Sequence, residues 1–466
     1  MSDKQKTIKT EITVSGIGLH TGKDTHLTFK PAPENSGYRF KRVDLKGQPE
    51  IKVDADNVVD VSRGTTIGQD GATVNTIEHV LAALVGLGID NVMMELDGPE
   101  APILDGSSMP FVKALKKVGT KTQAHERQYF ELKSNIEYTN EEAGTQIIAV
   151  PADEYRVTVM VDYNSPVLGS QHASMSSVSE FEKEIASCRT FCFLHELEAL
   201  LDSNLIKGGD LDNAIVVVDK VVTQNELDRL ASLFNRPSVA VKEEGILNNV
   251  DLHYQNEPAR HKLLDVIGDL ALVGVPLKAH IYATPPGHAT NTEFAKILKK
   301  LVKKYKNKPA PPEYDTSKPP LYDINDIKRI LPHRQPFLFI DKIIEMSNMH
   351  VVGVKHVTIN EYYFEGHFPD EPVMPGVIQI EAMAQTGGIL ALSTVKNPQD
   401  YLTYFMKIDN VRFKQKVVPG DTLIFKLELL SPIRRGICHM KGQAYVGENL
   451  VMEGEMMAQL SKKNEA

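Results

Sequence analysis

Two distant stretches carry residues of the types and spacing needed for metal-assisted hydrolysis. Residues 260–269 read RHKLLDVIGD. As a helix they advance about 100° per residue, so His261, Asp265 and Asp269 form one stripe, with Leu263, Leu264, Ile267, Leu270 and Ala271 facing the core. An imidazole and a carboxylate one turn apart are a usable pair of metal ligands. Alone, such a helix reads as a solvated polar stripe with a His–Asp contact. Residues 75–84 change that reading. They form a helix closed by Gly86 and Gly88, whose apolar face is Ile77, Val80, Leu81 and Leu84, so that Glu78 and His79 project towards solvent or a cleft. His79, His261 and Asp265 then supply three nitrogen and oxygen ligands and leave a fourth position for water. Glu78, next to a ligand, is placed to take a proton from that water, whose pKa a metal lowers towards about 7. His288, on a glycine-preceded loop, is placed to protonate a leaving group, and Asp269 to hold it charged. No His-Glu-x-x-His motif is present, so this is not the ordinary metalloprotease helix.

A second constellation lies near the other end. Residues 366–376, GHFPDEPVMPG, set three prolines and two glycines around His367. Proline fixes φ, so the loop holds the ring in place. Pro375-Gly376 opens a long apolar helix whose first free N–H groups can polarise a carbonyl. Glu381 lies within that helix, where burial favours its protonated form. A base and an acid beside an apolar tunnel suit elimination of water from a β-hydroxyacyl thioester. Singly, His367 reads as a core histidine and Glu381 as a satisfied structural acid.

The elements that position these residues follow from pattern. The 466 residues exceed one typical core, and 42% hydrophobic with 24% charged residues describes a globular protein. A net charge of −9 argues against a general nucleic-acid binder. The N-terminus lacks the apolar run of a signal peptide, and three cysteines fit a reducing compartment, so a cytoplasmic location is expected. Cys188, Cys192 and His195 lack a fourth ligand and read as packing residues. Residues 7–14, 25–29 and 91–96 read as strands, as do 128–134, 145–150, 156–161 and 278–283. No close sequence repeat joins these halves, only a similar alternation. Residues 299–320, charged and proline-rich without apolar periodicity, read as an exposed linker. Beyond them, 323–331 reads as a short helix and 337–344 opens a run of strands continuing at 411–417, 422–430, 438–446 and 450–460. Residues 377–395 approach the length of a membrane span, but Gln379, Glu381 and Gln385 make a helix buried in a water-soluble fold the better reading, with no transmembrane segment.

Residues 76–84 (TIEHVLAAL), 189–191 (RTF), 260–265 with Gly268-Asp269, and 287–291 (GHATN), together with 16–22 (GIGLHTG) and 103–106 (ILDG), resemble the zinc-dependent UDP-3-O-acyl-N-acetylglucosamine deacetylases of lipid A synthesis over about residues 5–300. The resemblance implies zinc on His79, His261 and Asp265, Glu78 as general base and His288 as general acid. It also implies that Thr190 supports the oxyanion, Lys262 holds the nucleotide, and residues near Phe191 and Phe193 line an acyl passage. The residues leave zinc or iron open as the native metal. The stretch 223–247 is longer than the family pattern, without an assigned role. His20 and Asp105 read as loop stabilisers; His172, His253 and His280 read as structural or solvent-facing.

Residues 330–337 (ILPHRQPF), the His367 loop, 381–385 (EAMAQ) and 418–421 (VPGD) resemble the 3-hydroxyacyl-[acyl-carrier-protein] dehydratases over 321–462. This implies a hot-dog fold, with His367 abstracting the α-proton, Glu381 protonating the departing hydroxyl and the Gly376 N–H binding the thioester carbonyl. It further implies that one site draws His and Glu from two subunits, giving a dimer at least and an expected hexamer. Lys407, Arg412, Lys414, Lys416, Arg434 and Arg435 make this end basic, which suits an acidic carrier protein.

The expected architecture is α+β: a two-domain α/β-sandwich deacetylase (1–125 and 126–303), a proline-rich linker (304–320), and a hot-dog domain (321–466) whose antiparallel sheet wraps a central helix. The expected substrates are a UDP-sugar lipid precursor and a carrier-protein thioester. The rival readings are a non-catalytic hot-dog scaffold, a hot-dog thioesterase, and a different amidohydrolase specificity in the first half.

Overall fold

The computed structural model describes residues 3–196, 213–233, 238–243, 245–248, 250–306 and 311–463. The chain divides into two compact units, Met1–Asn307 and Lys308–Ala466.

The first unit holds two five-strand paths of the same topology. In one the spatial order is Ile12–Ile17, Asp24–Pro31, Val92–Leu96, Tyr38–Arg42, Glu50–Lys52. In the other it is Ile136–Asn140, Thr145–Pro151, Leu277–Thr284, Arg156–Asp162, Ser170–Met175, with Phe130–Glu131 paired to the central strand. Each places its last strand in the middle, antiparallel to the second strand and parallel to the third. This duplication is invisible as sequence similarity because only the alternation of buried and exposed positions is shared.

The helices used below are, among the described residues of this unit, α1 (Glu78–Gly86), α2 (Met109–Val118), α3 (Gln224–Leu233), α4 (Glu257–Leu270) and α5 (His288–Lys306). Helices α1 and α4 occupy equivalent places, each preceding the central strand of its sheet. They meet backbone to backbone: a Cβ added to Gly268 would lie 2.2 Å from the carbonyl oxygen of Glu78 and 2.9 Å from its Cα. Most of the apolar side chains of both helices join one continuous core with the sheets.

Several local expectations change. The polar stripe of α4 is not solvated; His261, Asp265 and Asp269 are as buried as the apolar side, because α1 covers that face. Residues 75–77 precede α1 rather than belong to it. Asn75 is pinned by backbone bonds to Pro99 and Ala101, and Thr76 takes φ +55. Residues 7–14 split at 9–11 into Lys4–Ile8 and Ile12–Ile17, which enter different sheets. The strand read at 128–134 shrinks to Phe130–Glu131. His288 starts α5 instead of sitting on a loop. Residues 299–306, read as linker, continue α5, since Phe294, Leu298 and Val302 bury one face while lysines cover the other. Residues 307–310 of the expected linker lie outside the described residues, and 311–320 contain no helix or strand.

The second unit is a six-stranded antiparallel sheet in the order Lys342–Met346, His350–His356, Thr422–Leu429, Ile437–Val446, Asn449–Lys462, Tyr401–Phe413. It carries α6 (Ile324–Ile330) and, against its face, α7 (Gly376–Ser393). Residues 337–340 are not a strand: the Gln385 side chain receives the Phe339 N–H at 2.9 Å and donates to the Phe337 carbonyl at 2.8 Å, replacing a neighbouring strand. The strand read at 411–417 is instead Tyr401–Phe413. Among the described residues no helix is long and apolar enough to cross a membrane.

The α1–α4 contact makes a direct prediction. Gly268→Ala forces two helix backbones apart and should destabilise the protein by about 3 kcal/mol or more. Chemical denaturation measures this, and an unchanged midpoint would contradict the contact.

Candidate functional site

The α1–α4 crossing gathers one buried cluster. His79 comes from the first turn of α1, and His261 and Asp265 from successive turns of α4. One ligand atom from each lies within 4.8 Å of the others. The two imidazoles meet edge-on with ring centroids 5.0 Å apart. Asp265 Oδ1 is 3.4 Å from His261 Nε2 and 3.9 Å from His79 Nε2. His261 Nδ1 is 3.1 Å from the Cys188 carbonyl, which can only accept, so Nδ1 carries the proton and Nε2 keeps its lone pair.

The donor set fits a divalent transition metal. Asp265 Oδ1 and His79 Nδ1 are buried without a hydrogen-bond partner, and a carboxylate oxygen in that state calls for a cation. Burial pushes His79 down to about 3, with His261 and His288 adding to the effect. Burial also lowers His261. Both rings are therefore neutral at pH 7. Burial opposes ionisation of Asp265, but His261, Lys262, His288 and His79 override it and hold the carboxyl below its usual range. Lys262 Nζ lies 3.2 Å from Asp265 Oδ2.

Around the cluster stand a carboxyl and an imidazole with opposite perturbations. Burial raises Glu78 to about 7, assisted by Asp269 and Asp265 and opposed by His288. Burial disfavours the charged form of His288, yet Asp269, Asp265 and Glu78 lift it to about 10. The Asp269 contact runs from His288 Nδ1 to Oδ2 at 3.0 Å. Asp269 is fully buried and also accepts from Asn291 Nδ2 at 2.9 Å and Thr65 Oγ1 at 2.5 Å. The Thr65 N–H donates to Glu78 Oε2 at 3.0 Å. Sequence reading assigned no role to Thr65 or Asn291. Asn291 had a signal in its nearness to His288, while Thr65 had none.

Phe191 borders the cluster, 6.5 Å from the His261 ring, with Lys262 Nζ 5.7 Å above it. Thr190 precedes it, half-buried, its N–H donating to Gly106 and its carbonyl accepting from Ile215. The buried Arg189–Glu257 pair, Nε to Oε1 at 2.9 Å, ties the segment before Phe191 to the start of α4. His20 lies 2.7 Å from the buried Glu100, and Asp105 accepts from Ser107 within its own turn. His253 reaches the Ser187 carbonyl, and His280 bonds Thr158 and stacks on Tyr282. Cys188 is buried, and Cys192 and His195 form no metal cluster with it among the described residues. Of the stretch 223–247, residues 224–233 form α3 and residues 234–237 and 244 lie outside the described residues.

In the second unit, His367 is held by backbone. Its N–H donates to Tyr363, its carbonyl accepts from Val373, and its Nδ1 donates to the Val373 carbonyl at 2.8 Å. Nε2 is thereby the basic nitrogen. Gly376 begins α7, whose N-cap residue Pro375 offers no side-chain cap. Glu381 is half-buried rather than enclosed, accepting from Gln385 at 2.9 Å and lying 3.6 Å from His333 Nε2. It lines a cavity of about 180 Å³ with Phe337, Ala384, Met440 and Met456. His367 does not line that cavity. Of the basic residues, Lys407, Lys414 and Lys416 pair with Asp409, Glu453 and Glu371.

Known proteins share both halves. Residues 5–237 and 230–300 match the UDP-3-O-acyl N-acetylglycosamine deacetylase family, and residues 331–455 match the FabA-like domain. The bifunctional enzyme LpxC/FabZ of Bacteroides thetaiotaomicron is 50% identical over 459 residues, spanning 98% of this chain and 99% of that protein. The bifunctional enzyme LpxC/FabZ of Porphyromonas gingivalis is 51% identical over 462 residues, spanning 99% and 100%. A UDP-3-O-acyl-N-acetylglucosamine deacetylase of Syntrophotalea carbinolica is 38% identical over 296 residues, 63% of this chain and 87% of its own length.

The cluster predicts one tightly bound divalent ion per chain. Asp265→Ala should abolish stoichiometric binding in equilibrium dialysis while the chain stays folded; full retention of metal would place the ion elsewhere.

Proposed function

This chain belongs to the bifunctional LpxC/FabZ enzymes, joining a deacetylase to a dehydratase, and from that premise we propose its substrates and the residues that act on them. The first unit removes the acetyl group from UDP-3-O-(3-hydroxyacyl)-N-acetylglucosamine in lipid A biosynthesis. The second converts (3R)-hydroxyacyl-acyl-carrier protein to the trans-2-enoyl thioester in fatty acid biosynthesis. Both reactions take place in the cytoplasm. Within the first unit we assign 1–125 and 126–303 as the deacetylase domains, and within the second unit 321–466 as the dehydratase domain.

For deacetylation, the carrying observation is the donorless Asp265 Oδ1 facing two imidazole Nε2 atoms beside a buried glutamate. His79, His261 and Asp265 would hold zinc, which supplies Lewis-acid polarisation of the acetyl carbonyl and a more acidic water. Glu78, poised near neutrality, accepts the proton of the attacking water. His288, charged at neutral pH, delivers a proton to the departing amine nitrogen, and Asp269 orients its ring through Nδ1. Thr190 supports the developing oxyanion. Lys262 holds the nucleotide end and Phe191 lines the acyl passage.

For dehydration, His367 Nε2 takes the α-proton, Glu381 protonates the hydroxyl as it leaves as water, and the Gly376 N–H polarises the thioester carbonyl. Glu381 faces an apolar cavity that His367 of the same chain does not border, which supports a site shared between two copies. Tyr401–Phe413, an edge strand among the described residues, exposes Tyr404, Phe405, Met406, Ile408 and Phe413, a surface suited to a second copy. We therefore assign a homo-oligomer, a dimer at least and a hexamer as the full assembly, with acyl carrier protein as substrate donor. A thioesterase or an inert scaffold would leave no enoyl product, which mass spectrometry of the carrier protein detects.

The acid assignment has a pH signature. Protonated His288 is the active form, present below its raised pKa and lost as pH climbs through it. Asp269→Asn removes the main charge holding the proton, so the alkaline limb of kcat/KM should move to lower pH. An unmoved limb would assign it to another group.

The shared dehydratase site has a mixing signature. His367→Ala and Glu381→Gln chains should each be inactive alone and regain enoyl formation when co-assembled, because mixed pairs hold one intact site. Absence of recovery in verified mixed oligomers would put both residues in one chain's site.

A further inference from the structure

Thr65 lies between the strands Val58–Asp60 and Thr66–Gln69, far in sequence from α4 and α5, and is fully buried. It makes two hydrogen bonds to two different carboxylates. Its backbone N–H donates to Glu78 Oε2 at 3.0 Å, and its hydroxyl donates to Asp269 Oδ1 at 2.5 Å. The hydroxyl must be the donor because an ionised carboxylate only accepts. The other Asp269 oxygen takes His288 Nδ1 and Asn291 Nδ2. Thus one residue touches the group assigned as proton acceptor and the group that aims the proton donor. The preceding residue presses on the same carboxylate: a Cβ on Gly64, at φ +145, would lie 2.7 Å from Glu78 Oε1.

We propose that Thr65 is a positioning residue for deacetylation, fixing the spacing between Glu78 and His288 by gripping Glu78 through its backbone and Asp269 through its hydroxyl. The inference rests on the acid–base roles given to Glu78 and His288 above. Without the hydroxyl, Asp269 Oδ1 is a buried carboxylate oxygen that has lost this donor. The carboxylate then turns towards its remaining donors and carries the His288 ring with it. Substrate affinity depends on other elements, so the loss falls on turnover rather than binding.

The test uses the full-length, metal-loaded protein and three variants, with metal content and thermal midpoint measured for each. Thr65→Val keeps the shape and removes the hydroxyl; kcat should fall about 10- to 100-fold with KM within about twofold. Thr65→Ser, which keeps the hydroxyl, should recover kcat to within about threefold of the parent. Glu78→Gln separates the two levels of the argument. If it is inactive while Thr65→Val turns over normally, the positioning role is wrong and the acid–base reading stands. If Glu78→Gln itself turns over normally, that reading falls regardless of Thr65. A serine variant as slow as the valine one assigns the effect to packing and overturns the proposal. Should the valine variant not fold, Thr65→Ala replaces it with the same expectations. A second readout needs no turnover: in metal-free protein, the proton between His288 Nδ1 and Asp269 should shift or broaden in the NMR spectrum of Thr65→Val and be retained in Thr65→Ser. An unchanged resonance in both would count against the proposal.

Discussion

The first unit depends on a place where no side chain fits. Helices α1 and α4 cross with Gly268 against the backbone of Glu78, and this contact sets the separation of His79 from His261 and Asp265. His79 sits beside the contact on α1, and His261 and Asp265 lie on the same face of α4 within the two preceding turns. A residue with a Cβ at 268 would widen the crossing and spread His79 from His261 and Asp265. Because both helices precede the central strand of equivalent sheets, the ligand cluster forms on the seam of a duplicated fold. Each sheet supplies one half of the site and neither supplies it alone.

Depth then decides the chemistry of each group. The same burial that keeps His79 and His261 neutral acts on His288, yet His288 holds its proton because Asp269 sits against Nδ1. Two aspartates one turn apart on α4 diverge in the same way. Asp269 accepts three protein donors and is spent as an internal anchor, whereas Asp265 keeps one oxygen without a donor and facing both imidazoles. In a low-dielectric site these differences in partners, rather than in residue type, separate a saturated carboxylate from one with an open oxygen.

The second unit solves a different problem with one long helix. Gln385 replaces a missing strand for residues 337–339 and also donates to Glu381, so the local backbone and the acidic group share a single support. His367 is held by three backbone contacts on a separate loop. The cavity beside Glu381 is walled by helix and sheet of one chain, including Thr403 and Phe405 of the edge strand Tyr401–Phe413. A single copy therefore supports Glu381 and His367 separately without bordering them on one cavity.

Much was legible in the residues themselves. Periodicity marks α4, α7 and most strands, and the spacing of His261, Asp265 and Asp269 places them on one face whatever that face meets. Gly366–Gly376 and the ligand motifs identify the family because their residue types are dictated locally, by φ restriction and by donor chemistry. Other features depended on what lies across the gap. The stripe of α4 looks solvated until α1 covers it, and the lysines of 299–306 hide a helix whose buried positions are a minority of the run. The split at 9–11 arises because its two parts join different sheets. Thr65 carries no motif at all; its importance comes from reaching Glu78, 13 positions away, and Asp269, 204 positions away. Local sequence determines which groups are present and which way each element turns them. Only the folded chain decides which groups meet, because burial and hydrogen-bond partners are properties of the neighbours and not of the residue.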